Sequence, residues 1–169
     1  MITIRFVSRD DVKDIQSIAH ETWMSTYEHI YSLNYINNFI EKAYSREDLN
    51  RTIERDIQRS KRNFLIAEYN KETVGYAQII QINDNEYELL RIYVRPKYQK
   101  LGIGKAFIEE FIKDLKPFNK LIAWVEKEND IGRFFYNKCG FKEVEELIEI
   151  TEGHSTTLIK YELELIIEL

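Results

Sequence analysis

The chain has 169 residues, and because this length suits one hydrophobic core we expect residues 1–169 to form a single domain. Its net charge of -5, without an arginine-rich arm, disfavours nucleic acid as a partner. A single cysteine excludes an internal disulfide, and no apolar run approaches the roughly 18 residues of a membrane span. We therefore expect a cytoplasmic protein that is neither secreted nor inserted into a membrane.

The N-terminal part of the chain predicts a strand and then a helix with aromatic residues. Ile2–Val7 alternates like a strand, and Ser8 or Asp10 suits the cap of the helix that follows. The aromatic residues of this helix recur at four-residue steps, at Trp23, Tyr27 and Tyr31. Such a stripe forms either part of a core or the wall of a cleft for a cationic chain, whose amines Glu21 and Glu28 could bind.

Two more helices and three strands are predicted next. Ser32 and Ser45 each suit an N-cap, so we expect one short helix after each of them. Three segments rich in β-branched and aromatic residues, joined by polar turns, then indicate an antiparallel meander. These strands are Phe64–Tyr69, Thr73–Ile82 and Glu86–Val94.

A glycine-rich loop follows the last of these strands. Gln99-Lys100-Leu101-Gly102-Ile103-Gly104 leads into a helix with an apolar row at four-residue steps. Glycines at a helix start let backbone N–H groups close on an anion, and the helix dipole favours its charge. A dinucleotide fingerprint would need a third glycine where Phe107 stands, and a P-loop would need Ser or Thr where Ala106 stands. The pattern therefore predicts a pyrophosphate site of another kind.

The rest of the chain predicts three strands and one short helix. Leu121–Val125 is the first strand, and Asn129 then precedes a helix that ends in Tyr136-Asn137-Lys138-Cys139-Gly140-Phe141. Phe141–Ile150 and Thr156–Leu165 supply two closing strands. The fold class is thus α/β (α+β), a mixed sandwich with about seven strands and four or five helices.

The loop and the segment after it resemble the GNAT superfamily of N-acetyltransferases. The loop matches the family's coenzyme A pattern Q/R-x-x-G-x-G/A completely, and Asn129 and the Tyr136–Phe141 run follow in the family's order and spacing. The resemblance implies a GNAT-like, largely antiparallel sheet and acetyl-CoA (coenzyme A) as co-substrate. It also implies that the strand ending at Val94 splays from its neighbour and pairs with the pantetheine arm.

The cofactor assignments come from this resemblance. Asn129 is expected to cap its helix and also to bind the pantetheine amides, while Lys138 either reaches the distal phosphate or is simply solvated. The residues assigned to the cofactor are Ile92, Tyr93, Val94, Gln99, Lys100, Leu101, Gly102, Ile103, Gly104, Lys105, Asn129, Tyr136 and Lys138.

Acetyl transfer from a thioester needs a protonated leaving group and a neutral amine. Tyr136 is assigned as the acid, because a phenol with a pKa near 10 is protonated at neutral pH; a structural tyrosine is the alternative. We expect the buried stripe of its helix to consist of Ile131, Phe134 and Phe135, with Tyr136 directed away from the core and Gly132 leaving room for it.

The base is less well defined by the sequence. Glu88, a carboxylate entering a buried strand, is either the catalytic base or an ion-pair partner, with Arg91 as its partner or facing the other way. Cys139 has no neighbouring histidine and is expected to be a core residue. The three histidines lack partners at metal-ligand spacing, so no metal site is predicted.

The predicted activity is N-acetyl transfer to a small-molecule amine by direct attack in a ternary complex. The Glu-Thr-Trp-x-x-Thr-Tyr-x-x-x-Tyr run and the Leu-Leu-Arg-Ile-Tyr-Val strand are similar to PaiA-type polyamine acetyltransferases, which implies spermidine or spermine as acceptor. The substrate residues would then be Trp23, Tyr27, Glu28 and Tyr31. The alternatives are transfer to a protein N-terminus or lysine and a non-catalytic coenzyme A-binding regulator. A homodimer is an allowed assembly.

Overall fold

The computed structural model describes residues 1–151 and 153–166, which form one mixed, mostly antiparallel sheet of seven strands with five α-helices. The strand order is β1-β2-β3-β4-β5-β7-β6. The strands are β1 (Ile2–Phe6), β2 (Phe64–Tyr69), β3 (Glu72–Gln81), β4 (Glu86–Val94), β5 (Lys120–Glu126), β6 (Lys142–Thr151) and β7 (His154–Glu164). The helices are α1 (Val12–Tyr27), α2 (Leu33–Ala43), α3 (Arg46–Ile57), α4 (Ile103–Ile112) and α5 (Asp130–Lys138). The predicted fold class is confirmed.

The chain divides into two compact units, of which the first comprises Met1–Ile79 and Arg91–Lys113. In this unit β2 pairs antiparallel with both β1 and β3. The helices α1 and α3 bury aliphatic rows that pack with strand residues into one core cluster. The fully buried members of this cluster include Ile15, Ile18, Leu49, Phe64, Ile66 and Tyr76.

The second unit comprises Ile80–Leu90 and Asp114–Leu169. Here β5 and β6 pair antiparallel with β7 along most of their lengths. The parallel ladder between β4 and β5 has only three registered pairs, from Glu86–Lys120 to Glu88–Ile122. It ends before Leu89 and Leu90, although these residues belong to the same unit and to the same strand. The strands β4 and β5 are therefore no longer paired beyond Glu88, although β4 continues to Val94.

The predicted helix caps are confirmed for three helices. The side chains of Ser32, Ser45 and Asn129 accept hydrogen bonds from the backbone N–H groups three residues ahead, at 3.2, 3.1 and 2.9 Å. The start of α1 differs from the prediction. Ser8 precedes a short 3₁₀ turn, and the Asp11 carboxylate accepts the Ser8 N–H at 2.7 Å, so α1 begins only at Val12.

The prediction for the buried face of α5 was wrong. Ile131 and Phe134 are 63% and 67% exposed, whereas Tyr136 is only 6% exposed. A helix of nine residues has two candidate faces, and the sequence period alone does not say which face the sheet covers.

Among the described residues, no helix has both the length and the apolar character needed to cross a bilayer.

Candidate active site

The predicted pyrophosphate loop leads from the end of β4 into α4 in the first unit. Lys100 and Gly102 have φ of 63° and 88° while Leu101 between them keeps a negative φ, and such alternation turns successive backbone N–H groups toward one side. Gly102 is the N-cap of α4 and makes no side-chain cap bond. The first N–H groups of α4 therefore point out of the helix at its positive end. This arrangement fits a diphosphate.

The side chains of this loop differ in their contacts and in their exposure to solvent. The Gln99 amide donates a hydrogen bond from Nε2 to the Val94 carbonyl oxygen at 3.1 Å, so it ties the loop to the end of β4. Lys105 Nζ lies 3.6 Å from Glu109 one turn later on α4. Lys100 and Leu101 are exposed, and Ile103 is buried under the helix. The Gln99 amide is therefore engaged within the protein, and the backbone N–H groups are the donors of this loop that could bind an anion.

The end of β4 presents its side chains to two faces of the sheet. A Cβ built on Gly75 would lie 3.3 Å from Val94 Cγ2 and 3.3 Å from Phe107, which puts Val94 on the α4 face. The Tyr93 ring points the other way, with its centroid 6.3 Å from that of Trp23. The same Cβ would lie 2.8 Å from the Tyr93 carbonyl oxygen, so this close approach of backbone requires glycine at position 75.

The aromatic residues Trp23 and Tyr27 of α1 belong to the core, whereas Tyr31 lies beyond the helix, which ends at Tyr27 and does not continue to Tyr31 as predicted. The Trp23 ring lies 4.3 Å from that of Tyr27 and stacks on Phe39 at 4.1 Å, and both Trp23 and Tyr27 are buried. Tyr31, with its centroid 5.7 Å from that of Tyr27, is half-buried, and Glu28 is exposed. The stripe therefore runs from the interior to the surface.

An arginine that the sequence did not point to holds the end of β4. Arg95 Nη1 donates to Glu21 Oε2 at 2.7 Å, and Arg95 Nε donates to the Thr73 carbonyl oxygen at 3.3 Å. Glu21, predicted as a ligand for an amine, is thus the partner of an arginine. Nothing in the local sequence links positions 21 and 95, because their contact depends on how α1 packs against the sheet.

In the second unit, Asn129 sits at the start of α5 as its N-cap. Its Oδ1 accepts the Gly132 N–H at 2.9 Å. A Cβ on Gly132 would come within 2.7 Å of Asn129 Nδ2. The missing side chain at position 132 therefore makes room for Asn129, and not for Tyr136 as predicted.

Tyr136 lies at the other end of α5 in an aromatic pocket. Its ring centroid is 5.2 Å from Phe135 and from Phe141, and it stacks on Tyr161 at 5.5 Å. Burial, followed by the Glu126 and Cys139 charges, raises the pKa of Tyr136 well above its ordinary value. The phenol is therefore protonated at every physiological pH, so its hydroxyl is able to donate a hydrogen bond or a proton.

The other two predicted residues of this unit differ in burial. Lys138 is exposed, with Nζ 5.9 Å above the ring of Phe134, which is also exposed. Glu88 is half-buried in β4, and burial raises the pKa of its carboxyl above the usual range. A carboxyl with a raised pKa is a better base than an exposed one.

Replacing Glu88 by glutamine is expected to raise the free energy of unfolding at neutral pH and to leave it unchanged near pH 3.5. A folded-state pKa above the unfolded value of about 4.3 means that charging this carboxyl destabilises the fold. That destabilisation is absent at low pH and grows as the pH rises through the folded pKa. Urea unfolding at both pH values measures it, with Glu41→Gln on the exposed face of α2 as the control. Equal curves for wild type and Glu88→Gln at neutral pH would contradict the expectation.

The family model for GNAT acetyltransferases matches residues 18–141. The chain belongs to the GNAT acetyltransferase family. This GNAT chain is 35% identical to the spermidine N(1)-acetyltransferase of Thermoplasma acidophilum over 154 residues, which cover 90% of this chain and 92% of that protein.

Two further proteins are similar to this chain. The crystal structure of PaiA N-acetyltransferase from Thermoplasma acidophilum in complex with coenzyme A superposes with a TM-score of 0.78, at 32% identity, over 97% of this chain and 99% of that one. The [ribosomal protein bS18]-alanine N-acetyltransferase of Haemophilus influenzae is 36% identical over 77 residues, or 45% of this chain and 52% of that protein. The GNAT chain is therefore an N-acetyltransferase that uses acetyl-CoA.

Proposed function

We propose that this enzyme acetylates a primary amine of a polyamine, spermidine or spermine, by direct attack in a ternary complex. This proposal rests on the 35% sequence identity to a spermidine acetyltransferase, which extends over 90% of the chain. The segment after α1 supports it, because Tyr31 and the exposed Glu28 follow Tyr27 at the end of an aromatic cluster. Aromatic faces and a carboxylate together suit an alkyl chain with positive charges.

For the cofactor, we assign the pyrophosphate to the backbone N–H groups of Lys100 to Lys105. The alternating φ values and the uncapped start of α4 support this role. The backbone of Ile92–Val94 and the Asn129 side chain are assigned to the pantetheine arm, and the short ladder between β4 and β5 supports a strand that is open to pairing. Lys138 is assigned to the distal phosphate.

Acetyl-CoA supplies the acetyl group as a thioester. Glu88 accepts a proton from the acceptor ammonium, directly or through water, so that the neutral amine attacks the carbonyl carbon. Backbone N–H groups at the end of β4 donate to the carbonyl oxygen as negative charge develops. When the carbon–sulfur bond breaks, the Tyr136 hydroxyl donates its proton to the sulfur, and the attacking nitrogen loses its extra proton through water to the Tyr136 phenolate. The products are an amide and a free thiol, and Glu88 releases the proton of the ammonium to solvent.

An acceptor panel tests the proposal through the release of free coenzyme A thiol. We expect kcat/KM for spermidine and spermine to exceed that for an alanine-terminated peptide and for an internal lysine peptide by at least tenfold, about 1.4 kcal/mol. The alanine-terminated peptide is included because the chain is also similar to the ribosomal protein bS18 alanine N-acetyltransferase of Haemophilus influenzae. A preference for either peptide would replace the polyamine proposal by protein acetylation. Cofactor binding without turnover of any amine would support a regulator instead.

A further inference from the structure

The end of β4 needs other anchors because its pairing with one neighbouring strand stops early. The registered pairs between β4 and β5 end at Glu88, whereas β4 continues to Val94. A strand supported on one edge opens more readily than a strand paired on both edges. The pantetheine arm is assigned to this end of β4, and acetyl transfer depends on the alignment of the reacting atoms. Contacts that hold this backbone in place therefore bear on the reaction.

Arg95, the residue directly after β4, joins this strand end to two other elements of the first unit. Its backbone N–H donates to the Val74 carbonyl oxygen at 2.8 Å, and its Nε donates to the Thr73 carbonyl oxygen at 3.3 Å. Its Nη1 donates to Glu21 Oε2 at 2.7 Å and to Ser17 Oγ at 3.2 Å. Arg95 therefore links the end of β4 to β3 and to α1.

The contacts of Arg95 are better shielded from water than those of an ordinary surface ion pair. Its side chain is only 15% exposed, and the side chain of Glu21 is 43% exposed. Hydrogen bonds between charged groups are shorter and stronger than neutral ones, and the planar guanidinium holds several acceptors in one fixed geometry. An arginine that bonds two side chains of a helix and a strand carbonyl at the same time therefore fixes the distance between helix and strand.

Arg95 also begins the turn that leads into the glycine-rich loop. Its carbonyl oxygen accepts the Tyr98 N–H at 2.8 Å, and the Tyr98 hydroxyl donates to Glu72 Oε2 on β3 at 2.6 Å. Gln99 Nε2 donates back to the Val94 carbonyl oxygen at 3.1 Å. The strand end and the start of the loop are thus tied to each other by contacts that do not involve the Arg95 side chain. The Arg95 side chain ties both of them to α1.

We propose that Arg95 is a positioning residue for acetyl transfer, which holds α1 at a fixed distance from the strand that carries the thioester. The inference rests on the proposed placement of the pantetheine arm along β4 and of the acceptor amine at the end of α1. Helix α1 leads from Glu21 to Tyr27 and then to Glu28 and Tyr31, which are assigned to the acceptor. Arg95 therefore acts on the distance between the amine and the thioester, through Glu21 and through the backbone of β4.

Replacing Arg95 by glutamine is expected to lower kcat by about 10- to 100-fold, because a displacement of about 1 Å between reacting groups costs up to about 100-fold. The affinity for coenzyme A, measured by calorimetry, is expected to change little, because the strand end and the loop stay joined through Gln99. Arg95→Lys keeps a positive charge beside Glu21 and should recover part of the lost kcat. A proportional loss of coenzyme A affinity would place Arg95 in cofactor binding and overturn the positioning role.

The matched control for a loss of stability is Arg62→Gln in the same unit. Arg62 also bonds a helix carboxylate, Asp56 Oδ2 at 2.9 Å, and a backbone carbonyl oxygen, that of Val7 at 2.6 Å. It joins α3 to the segment before β2 and has no part in the contact between α1 and β4. Urea unfolding should show that both variants are destabilised, whereas only Arg95→Gln should lose kcat.

Glu21→Gln separates positioning from a direct contact of Glu21 with the amine. If Glu21 acts through Arg95, its replacement lowers kcat as Arg95→Gln does, and the double variant loses no more than Arg95→Gln alone. If Glu21 instead binds the amine, its replacement raises KM for the acceptor equally in the wild-type and Arg95→Gln backgrounds. The second result would overturn the inference.

Hydrogen–deuterium exchange tests the hold on β4 without any acceptor. The peptide that covers residues 91–99 should exchange faster in Arg95→Gln than in wild type, and not in Arg62→Gln. Unchanged exchange, an unchanged kcat in folded Arg95→Gln, or an equal loss of kcat in Arg62→Gln would overturn the inference. The kinetics use whichever amine of the acceptor panel is turned over, so failure of spermidine alone overturns the polyamine proposal and leaves the role of Arg95 to these measurements.

Discussion

Replacing Tyr136 by phenylalanine is expected to lower kcat by about 100-fold, the lower end of the range for removal of a general acid. The substitution removes only the hydroxyl, so the aromatic packing against Phe135, Phe141 and Tyr161 stays. Without its proton donor the thiolate must leave unprotonated, and this affects the chemical step. Steady-state kinetics with spermidine give kcat, and calorimetric titration gives the affinity for coenzyme A, which we expect to change little.

The matched control is Tyr161→Phe, because Tyr161 stacks on Tyr136 and also loses a hydroxyl. Its hydroxyl donates to Glu143 Oε1 at 3.0 Å and accepts from Arg133 Nε at 3.2 Å, so its loss should reduce stability and leave kcat within a few-fold of wild type. Equal kcat values for wild type and Tyr136→Phe would show that Tyr136 is not the acid. A Tyr136→Phe variant that loses coenzyme A affinity but not kcat would instead place the hydroxyl in cofactor binding.

Local features were the part of the structure that could be predicted from the sequence. Ser32, Ser45 and Asn129 cap helices because a cap depends only on residues within one turn. The strand boundaries follow from alternation and from turn residues, and these also act over a few positions. The loop before α4 was predicted for the same reason, since its geometry is set by Gly102 and the start of one helix.

Contacts between distant segments could not be predicted. The exposed side of α5 shows this, because the apolar Ile131 and Phe134 face out while Tyr136 is covered by Phe141 and Tyr161. The pairing of Arg95 with Glu21 is a second case. The contact between the Trp23 and Tyr93 rings is a third, since it requires α1 and β4 to pack together. Each depends on packing, which periodicity does not specify.

Replacing Gly104 in the glycine-rich loop by glutamate is expected to raise the stability of the fold and to lower its affinity for coenzyme A. Gly104 is the second residue of α4, and its φ is not in the left-handed range, so the backbone accepts a side chain there. Replacing it by glutamate removes a glycine from a helix, a gain of about 0.5–1 kcal/mol, and adds a carboxylate at the positive end of the dipole, worth about 0.3–1 kcal/mol. We expect the free energy of unfolding to rise.

Coenzyme A affinity should fall in the same variant. A carboxylate about 4 Å from a diphosphate, at the effective dielectric of a protein surface, is repelled by several kcal/mol, so we expect at least a 100-fold rise in Kd. Calorimetry gives Kd and urea unfolding gives stability. Gly104→Ala separates charge from bulk, and Asn50→Glu on the exposed face of α3 controls for net charge. A stable Gly104→Glu variant with wild-type affinity would show that the diphosphate does not bind at this loop, because no other consequence of the substitution offsets a repulsion of that size.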